Sequence, residues 1–137
     1  MKEDKKREEL QKKVLQFQFM ENNLKTLQER AQLVTQRIEE LQRTMIALED
    51  LDKTKPNKAL IPIGSGNFVQ GSIENTEEVL VNVGSGIIVT KKKQESKKML
   101  EQQIKEFEKV LQQISTGAQA ILIELQKIQE DIQKIQA

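Results

Sequence analysis

The stretch that decides the fold lies in the middle of the 137-residue chain and reads, from residue 60 to residue 90, LIPIGSGNFVQGSIENTEEVLVNVGSGIIVT. Its only charged residues are Glu74, Glu77 and Glu78, although 31% of the whole chain is charged. An apolar segment, Gly-Ser-Gly and another apolar segment occur in it twice. Glycine between two β-favouring runs is typical of a β-hairpin, so the stretch predicts two hairpins. Their strands are expected at about 60–63, 67–73, 79–83 and 87–90.

The two hairpins are expected to need partner subunits. Isolated two-stranded hairpins are marginally stable in water, and unpaired strand edges invite pairing with another chain. The strand Val79–Val83 is apolar on both faces apart from Asn82, which indicates burial on both sides. Because the helices flanking the hairpins use their apolar residues on each other, this cover must come from other subunits, in a closed barrel or sandwich.

The strand residues expected in subunit assembly are all apolar: Leu60, Ile61, Ile63, Phe68, Val69, Ile73, Val79, Leu80, Val81, Val83, Ile87, Ile88 and Val89. The glycines expected in the turns are Gly64, Gly66, Gly84 and Gly86.

Apolar residues at alternating intervals of three and four flank the hairpins on both sides. Such spacing keeps one apolar seam of a helix against a partner helix. The first run comprises Phe17, Met20, Leu24, Leu27, Ala31, Val34, Ile38, Leu41, Met45 and Leu48. The second comprises Leu100, Ile104, Phe107, Leu111, Ile114, Ala118, Ile121, Leu125, Ile128, Ile132 and Ile135. Coiled-coil helices are therefore expected over residues 8–55 and 94–136, with Pro56 ending the first.

The two runs match in length and the connector between them is compact. The simplest arrangement is an antiparallel two-helix coiled coil within one chain, which makes the fold α+β. Leu48 would then lie near Leu100, and Phe17 near Ile128 or Ile132. A parallel dimer of each helix is the alternative, but it would splay the hairpins apart.

Two positions in the second helix have more than one interpretation. Ser96 could cap its N-terminus, although no Glu or Gln follows at the spacing of a capping box. Gly117 interrupts the apolar run and is unfavourable within a helix. It is either tolerated within a long seam or a point at which the helix bends.

The coil ends carry more apolar residues than one seam requires. Val14, Leu15 and Phe19 lie outside the seam, close to Phe17 and Met20. They either widen the seam or form an exposed patch, and exposed apolar clusters usually mark interaction sites. On the second interpretation, the patch draws on apolar residues at both ends of the chain: Leu10, Val14, Leu15, Phe17, Phe19, Met20, Ile128, Ile132 and Ile135.

Composition argues against an enzyme. The chain contains no His and no Cys, which excludes disulfides, thiolate chemistry and histidine-dependent catalysis. Neither Gly-Ser-Gly segment is followed by Lys-Ser/Thr, as a nucleotide-binding loop requires. Glu77 and Glu78 are adjacent carboxylates without a partner base or a set of metal ligands. We expect no catalytic residues, no metal site and no cofactor.

The charge pattern argues against nucleic-acid and membrane partners. The net charge is +1, from 22 basic and 21 acidic residues interspersed along the chain. The basic run Lys91–Lys93 is expected to be a solvated face. No segment approaches the ~20 apolar residues that span a bilayer, and the charged N-terminal segment MKEDKKREEL does not resemble a signal peptide. A cytoplasmic location is expected.

The chain resembles the alpha class of prefoldin subunits, of the archaeal type. The specific features are Leu60–Phe68, with the pattern P-I-G-x-G-x-F, and Val81–Gly86, with V-x-V-G-x-G. Two hairpins rather than one favour the alpha class over the beta class. The resemblance covers nearly the whole chain as one prefoldin-like domain over residues 1–137, with the hairpins at 60–90 as its assembly platform.

This resemblance implies an ATP-independent chaperone. Two alpha-class and four beta-class subunits would form a heterohexamer whose hairpins build an intersubunit β-barrel platform. The coil ends would hold non-native client proteins and deliver them to a group II chaperonin. The alternative is a coiled-coil scaffold or filament subunit without client binding.

Overall fold

The computed structural model describes residues 2–51 and 58–137. The described residues form two helices and four strands, numbered in chain order. Their bounds are α1 Lys2–Asp50, β1 Lys58–Gly64, β2 Asn67–Ser72, β3 Glu78–Gly84, β4 Ile87–Lys92 and α2 Lys93–Gln136. The prediction of an α+β fold with two long helices and two central antiparallel hairpins is confirmed.

The elements divide into two compact units. The coil unit comprises the described residues up to Arg37 together with Phe107–Ala137, and the hairpin unit comprises Ile38–Glu106. Each unit contains part of both helices, and all four strands belong to the hairpin unit.

Helix α1 begins at Lys2, six residues before the predicted start at residue 8. Glu3 and Asp4 lie in its first turn, where carboxylates interact favourably with the positive end of the helix dipole. Without an internal Gly or Pro, the helix continues for 49 residues to Asp50. The predicted stop at Pro56 lies outside the described residues.

Helix α2 begins at Lys93, directly after the last residue of β4. Ser96 is therefore an internal, buried helix residue, and the prediction that it caps the helix is wrong. The helix start is held instead by a link to the segment between the hairpins. The Lys93 backbone N–H donates to the Glu77 carbonyl oxygen at 2.8 Å. The Asn75 Oδ1 in turn accepts from the backbone N–H of Glu77 at 2.9 Å.

Within the coil unit the two helical segments run antiparallel. The Lys13 Nζ lies 3.2 Å from the Asp131 Oδ2. Two heptads further along each helix, a β-carbon added to Gly117 would lie 3.6 Å from the Leu27 Cδ1. The two contacts share one register, which places Phe17 opposite Ile128, one of its two expected neighbours. They confirm the antiparallel arrangement within one chain. The proximity of Leu48 to Leu100 stays a prediction.

The predicted seam forms the core of each unit. In the coil unit, the buried apolar residues are Ile114, Leu125 and Ile128. In the hairpin unit, they are Ile38, Leu41 and Leu48. All six belong to the predicted heptad runs, so the periodicity correctly identified which helix residues leave the solvent.

The two hairpins share one local geometry. β1 pairs with β2 and β3 with β4, each antiparallel with an irregularity just before the turn, between Pro62 and Gly64 and between Asn82 and Gly84. The predicted three-residue connections are in fact two-residue loops, because Gly64 pairs with Asn67 and Gly84 with Ile87. β1 begins two residues earlier and β4 ends two residues later than predicted, whereas Ile73 follows β2.

Positive φ angles explain the glycines at the turns. Ser65 and Ser85 have φ of 48° and 52°, and the glycine after each is also positive, as a type I′ turn requires. Gly84 has a φ of 123°, a conformation that residues with a β-carbon rarely adopt. The Asn82 Oδ1 accepts from the Gly84 N–H at 3.0 Å and stabilises this approach to the turn.

Candidate interaction surfaces

The predicted client-binding residues on α1 divide into seam and outer positions. Leu10, Phe17 and Met20 are half-buried along the seam. Leu15 and Phe19 are 65% and 66% exposed. A side chain with two thirds of its surface in water is not packed in a helix interface, so these two do not widen the seam. Val14, which was grouped with them, is 38% exposed and lies at the border of the seam.

The three predicted residues on α2 are less accessible. Ile132 and Ile135 are half-buried, and Ile128 is only 2% exposed. Ile128 lies in the seam opposite Phe17 and packs the coil, so it offers no surface to another protein in this structure. A client-binding role for the whole set stays a prediction.

Four exposed large apolar residues of the described helices were not predicted from the sequence. In the coil unit they are Leu33, Leu122 and Ile123, and in the hairpin unit Ile46; each is more than half exposed. All four lie outside the alternating three-and-four spacing that defines the seam. A large apolar residue outside that spacing is therefore the signal in the sequence that indicates exposure on the coil.

The hairpins leave most of their apolar residues in solvent. No residue of the four strands is buried. Nine of the thirteen predicted assembly residues are exposed, and the other four are half-buried: Ile73, Val79, Val81 and Val89. Nearly the whole predicted assembly set is therefore accessible to another chain.

The faces of the second hairpin differ in exposure. Val79, Val81 and Val89 share a half-buried face, since Val81 and Val89 are cross-strand partners. The opposite face carries Leu80 and Ile88, which are 74% and 60% exposed. The expected burial on both faces is thus absent within one chain.

The first hairpin exposes both of its faces. Pro62 and Phe68 are cross-strand partners on one face, and Ile61 and Val69 are partners on the other. Phe68, Ile61 and Val69 are all exposed.

The basic run at the end of β4 is not one solvated face. Lys92 is exposed and pairs in register with Glu78, but Lys91 is half-buried and Lys93 is 4% exposed. The prediction was wrong for Lys93, which is the first residue of α2, is buried and is bonded through its backbone N–H to Glu77. A continuous basic strip for nucleic acid is therefore missing at this place.

Metal-ligating clusters and membrane-spanning helices are both absent from residues 2–51 and 58–137. These residues contain no group of three or more His, Cys, Asp or Glu side chains placed to hold a metal ion. Neither described helix is long and apolar enough to cross a membrane.

Comparison with known proteins gives a consistent result. The family model described as prefoldin subunit matches residues 20–137. The prefoldin subunit alpha of Pyrococcus horikoshii is 31% identical over 121 residues, which cover 87% of this chain and 79% of the relative. That of Methanobrevibacter smithii is 32% identical over 95 residues, 69% of this chain and 65% of the relative. That of Archaeoglobus fulgidus is 26% identical over 125 residues, 90% and 91% of the two chains.

A solved structure has a similar fold. The cryo-EM structure of filamentous PFD from Methanocaldococcus jannaschii matches with a TM-score of 0.71 at 19% sequence identity. The match covers 81% of this chain and 93% of the other.

Proposed function

This chain belongs to the prefoldin subunit family, and from that premise we propose that it is a holdase subunit that binds non-native proteins at its coil ends without ATP. Its clients are then passed to a group II chaperonin. It acts in the cytoplasm together with beta-class subunits, two alpha with four beta.

The observation that carries the client-binding proposal is the exposure of Leu15 and Phe19. They lie on α1 four residues apart, so they are neighbours on one helix surface. Their exposed area is apolar, and a non-native protein also exposes apolar surface. Contact removes both apolar surfaces from water, which is favourable. One such contact is weak, but several coils held on one platform raise the effective concentration of each for the same client.

The proposed platform is a β-barrel built from the hairpins of several subunits. Support comes from the apolar strand residues that one chain leaves in water, Leu80 and Ile88 among them. A hexamer would cover these apolar residues and pair the free strand edges. Exposed apolar patches and unpaired strand edges, which both promote aggregation, would then be removed together.

The test compares two double variants of the full chain, each assembled with beta-class subunits. Leu15→Ser with Phe19→Ser removes the exposed pair. Leu33→Ser with Ile46→Ser removes two other apolar residues of α1 that are also more than half exposed. The first variant should bind an unfolded protein about tenfold more weakly, and the control should resemble the unmodified complex. Equal protection against aggregation by all three complexes would refute client binding at this place.

A filament or scaffold subunit without client binding is the second candidate. The similarity in fold to a chain whose structure is described as filamentous favours it. It predicts that this chain alone forms particles of open-ended length. Native mass spectrometry and electron microscopy, with and without a beta-class subunit, distinguish a discrete heterohexamer from such a filament.

A further inference from the structure

We propose that one side of the coil unit is a lateral binding surface on which glutamine amides hold the extended backbone of a non-native polypeptide. This inference rests on the proposed holdase function and deepens it. The surface, called the glutamine flank, has eight positions on α2: Gln112, Ser115, Gln119, Leu122, Gln126, Gln129, Gln133 and Gln136. Its α1 part comprises Gln11, Val14, Gln18, Glu21, Lys25, Gln28, Gln32 and Thr35.

The helical period places these residues on one side of the coil. Each α2 position lies one residue after a seam residue such as Ile121, Leu125 or Ile128, so all eight lie on the same side of the helix. Four of them border the seam, and the other four form the next row outward. Asp131 and Gly117, which face Lys13 and Leu27 of α1, each lie one residue before a seam residue and so on the other side of α2. All eight α2 positions are exposed.

The α2 part of the flank carries no charge over seven helical turns. The same segment of α2 has five charged residues, and all lie on its other sides: Glu124, Lys127, Glu130, Asp131 and Lys134. Charged side chains are the usual occupants of positions bordering a coiled-coil seam, where they form ion pairs between helices. Here the seam-bordering positions of the segment, Ser115, Leu122, Gln129 and Gln136, carry no charged side chain.

The amides of the flank are open to a ligand. Within residues 107–137, the side-chain hydrogen bonds are those of Thr116 to the Gln112 carbonyl oxygen and of Asp131 with Lys13. The glutamine side chains therefore keep both their N–H donors and their carbonyl acceptors for other partners. Val14 and Leu122, 38% and 52% exposed, add apolar surface among these amides.

This combination fits an extended segment of a non-native protein. Every residue of such a segment except proline offers one N–H and one carbonyl, the same pair of groups that a glutamine amide presents. The α2 part of the flank is uncharged, and the α1 part has one acidic and one basic residue, Glu21 and Lys25. The flank therefore has no net charge that would repel acidic or basic clients. The flank is continuous with the coil end, so a client held by Leu15 and Phe19 could continue along it.

The test uses three triple variants of the full chain, assembled with beta-class subunits and checked for helicity and mass. The flank is changed in two ways, with glutamate or with alanine at Gln119, Gln126 and Gln133. The control adds the same three negative charges off the flank, with glutamate at Gln16, Gln36 and Gln113. The probe is fluorescently labelled, reduced and carboxymethylated α-lactalbumin, which stays unfolded, and the readout is fluorescence anisotropy.

Both flank variants should bind the probe about fivefold more weakly, and the control within about twofold of the unmodified complex. Unchanged binding by the alanine variant would show that the amides are not recognised and would overturn the inference. Equal weakening by the control would assign the effect to net charge and also overturn it. A loss of assembly in either flank variant would identify the flank as a contact between subunits instead.

The outcomes also separate this inference from the holdase proposal on which it rests. If binding depends on Leu15 and Phe19 but not on the flank, the proposal of a lateral binding surface is wrong and the holdase proposal stands. If the unmodified complex does not bind the probe, both proposals fail.

Discussion

The coil unit and the hairpins are both rich in apolar residues, but only the coil unit buries them within the chain. Ile128 in the coil is 2% exposed, whereas Leu80 in β3 is 74% exposed. The heptad-spaced apolar residues of one helix pack against those of the other helix of the same chain. A two-stranded hairpin has two faces and two edges, and this chain provides cover for only part of one face.

The difference separates two sources of stability. Removing apolar surface in the coil should reduce the free energy of unfolding of the chain. Removing it in the exposed hairpin faces should instead reduce the affinity between subunits and leave the chain folded. The predictions that follow test this separation.

The largest effect is expected from Leu80→Asp combined with Ile88→Asp. In an assembled platform these carboxylates would be buried without partners, at a cost of several kcal/mol, so the complex should dissociate. In the isolated chain both positions are exposed, so helix content should not change. Sedimentation velocity reports the mass and circular dichroism reports the helicity.

The matched control for this variant is Leu33→Asp, which introduces a charge at a residue that is 66% exposed on α1. It should leave the mass of the complex unchanged. If the complex of the Leu80→Asp, Ile88→Asp variant stays intact, the exposed face of the second hairpin is not a subunit interface.

The next effect is expected in the seam. Ile128→Ala should lower the free energy of unfolding by about 2–5 kcal/mol, because it leaves a cavity opposite Phe17. Ile123→Ala, five residues away on the same helix and 58% exposed, should change it by no more than about 0.5 kcal/mol. Denaturant titration of the assembled complex measures both, and equal losses would mean that Ile128 is not part of a packed core.

A smaller effect is expected at the turn of the second hairpin. Gly84→Ala should destabilise the turn by about 1–3 kcal/mol, because its φ of 123° is strained for any residue with a β-carbon. Ser85→Asn is the control, since its φ of 52° lies in the left-handed region that asparagine tolerates. Faster amide hydrogen exchange in β3 and β4 should appear only in the alanine variant. Similar exchange in both variants would refute the role of Gly84.

Local patterns predicted the fold well, but not the ends of its elements. The spacing of apolar residues predicted the seam correctly. Burial of residues such as Leu41 and Leu125 depends only on the helical period and on a second helix with the same apolar period. The start of α2 depends on a bond between Lys93 and Glu77, which are distant from each other in the sequence. No local pattern contains that bond, so Ser96 was misassigned.

The candidate surfaces were only partly predictable for a similar reason. Leu15 and Phe19 were found because they exceed what a seam requires. Ile128 was grouped with them by its closeness to the chain end, although its register with Phe17 buries it. Which face of a hairpin another subunit would cover depends on how subunits are placed relative to one another, and no local sequence pattern specifies that placement.

The smallest effect is expected at Gly117, where the coil itself carries a residue unfavourable in helices. Gly117→Ala should raise the free energy of unfolding by about 1 kcal/mol, because alanine restricts the unfolded chain and favours the helix. The added β-carbon would lie 3.6 Å from the Leu27 Cδ1, an ordinary contact, and α2 is already continuous through this position. Gly117→Leu, by contrast, should be destabilising, since its larger side chain would crowd Leu27. If glycine is merely tolerated here, the alanine variant will be more stable by denaturant titration and will hold an unfolded protein as well as before. If the alanine variant is more stable but binds the unfolded protein more weakly, Gly117 is instead a point at which the coil must bend.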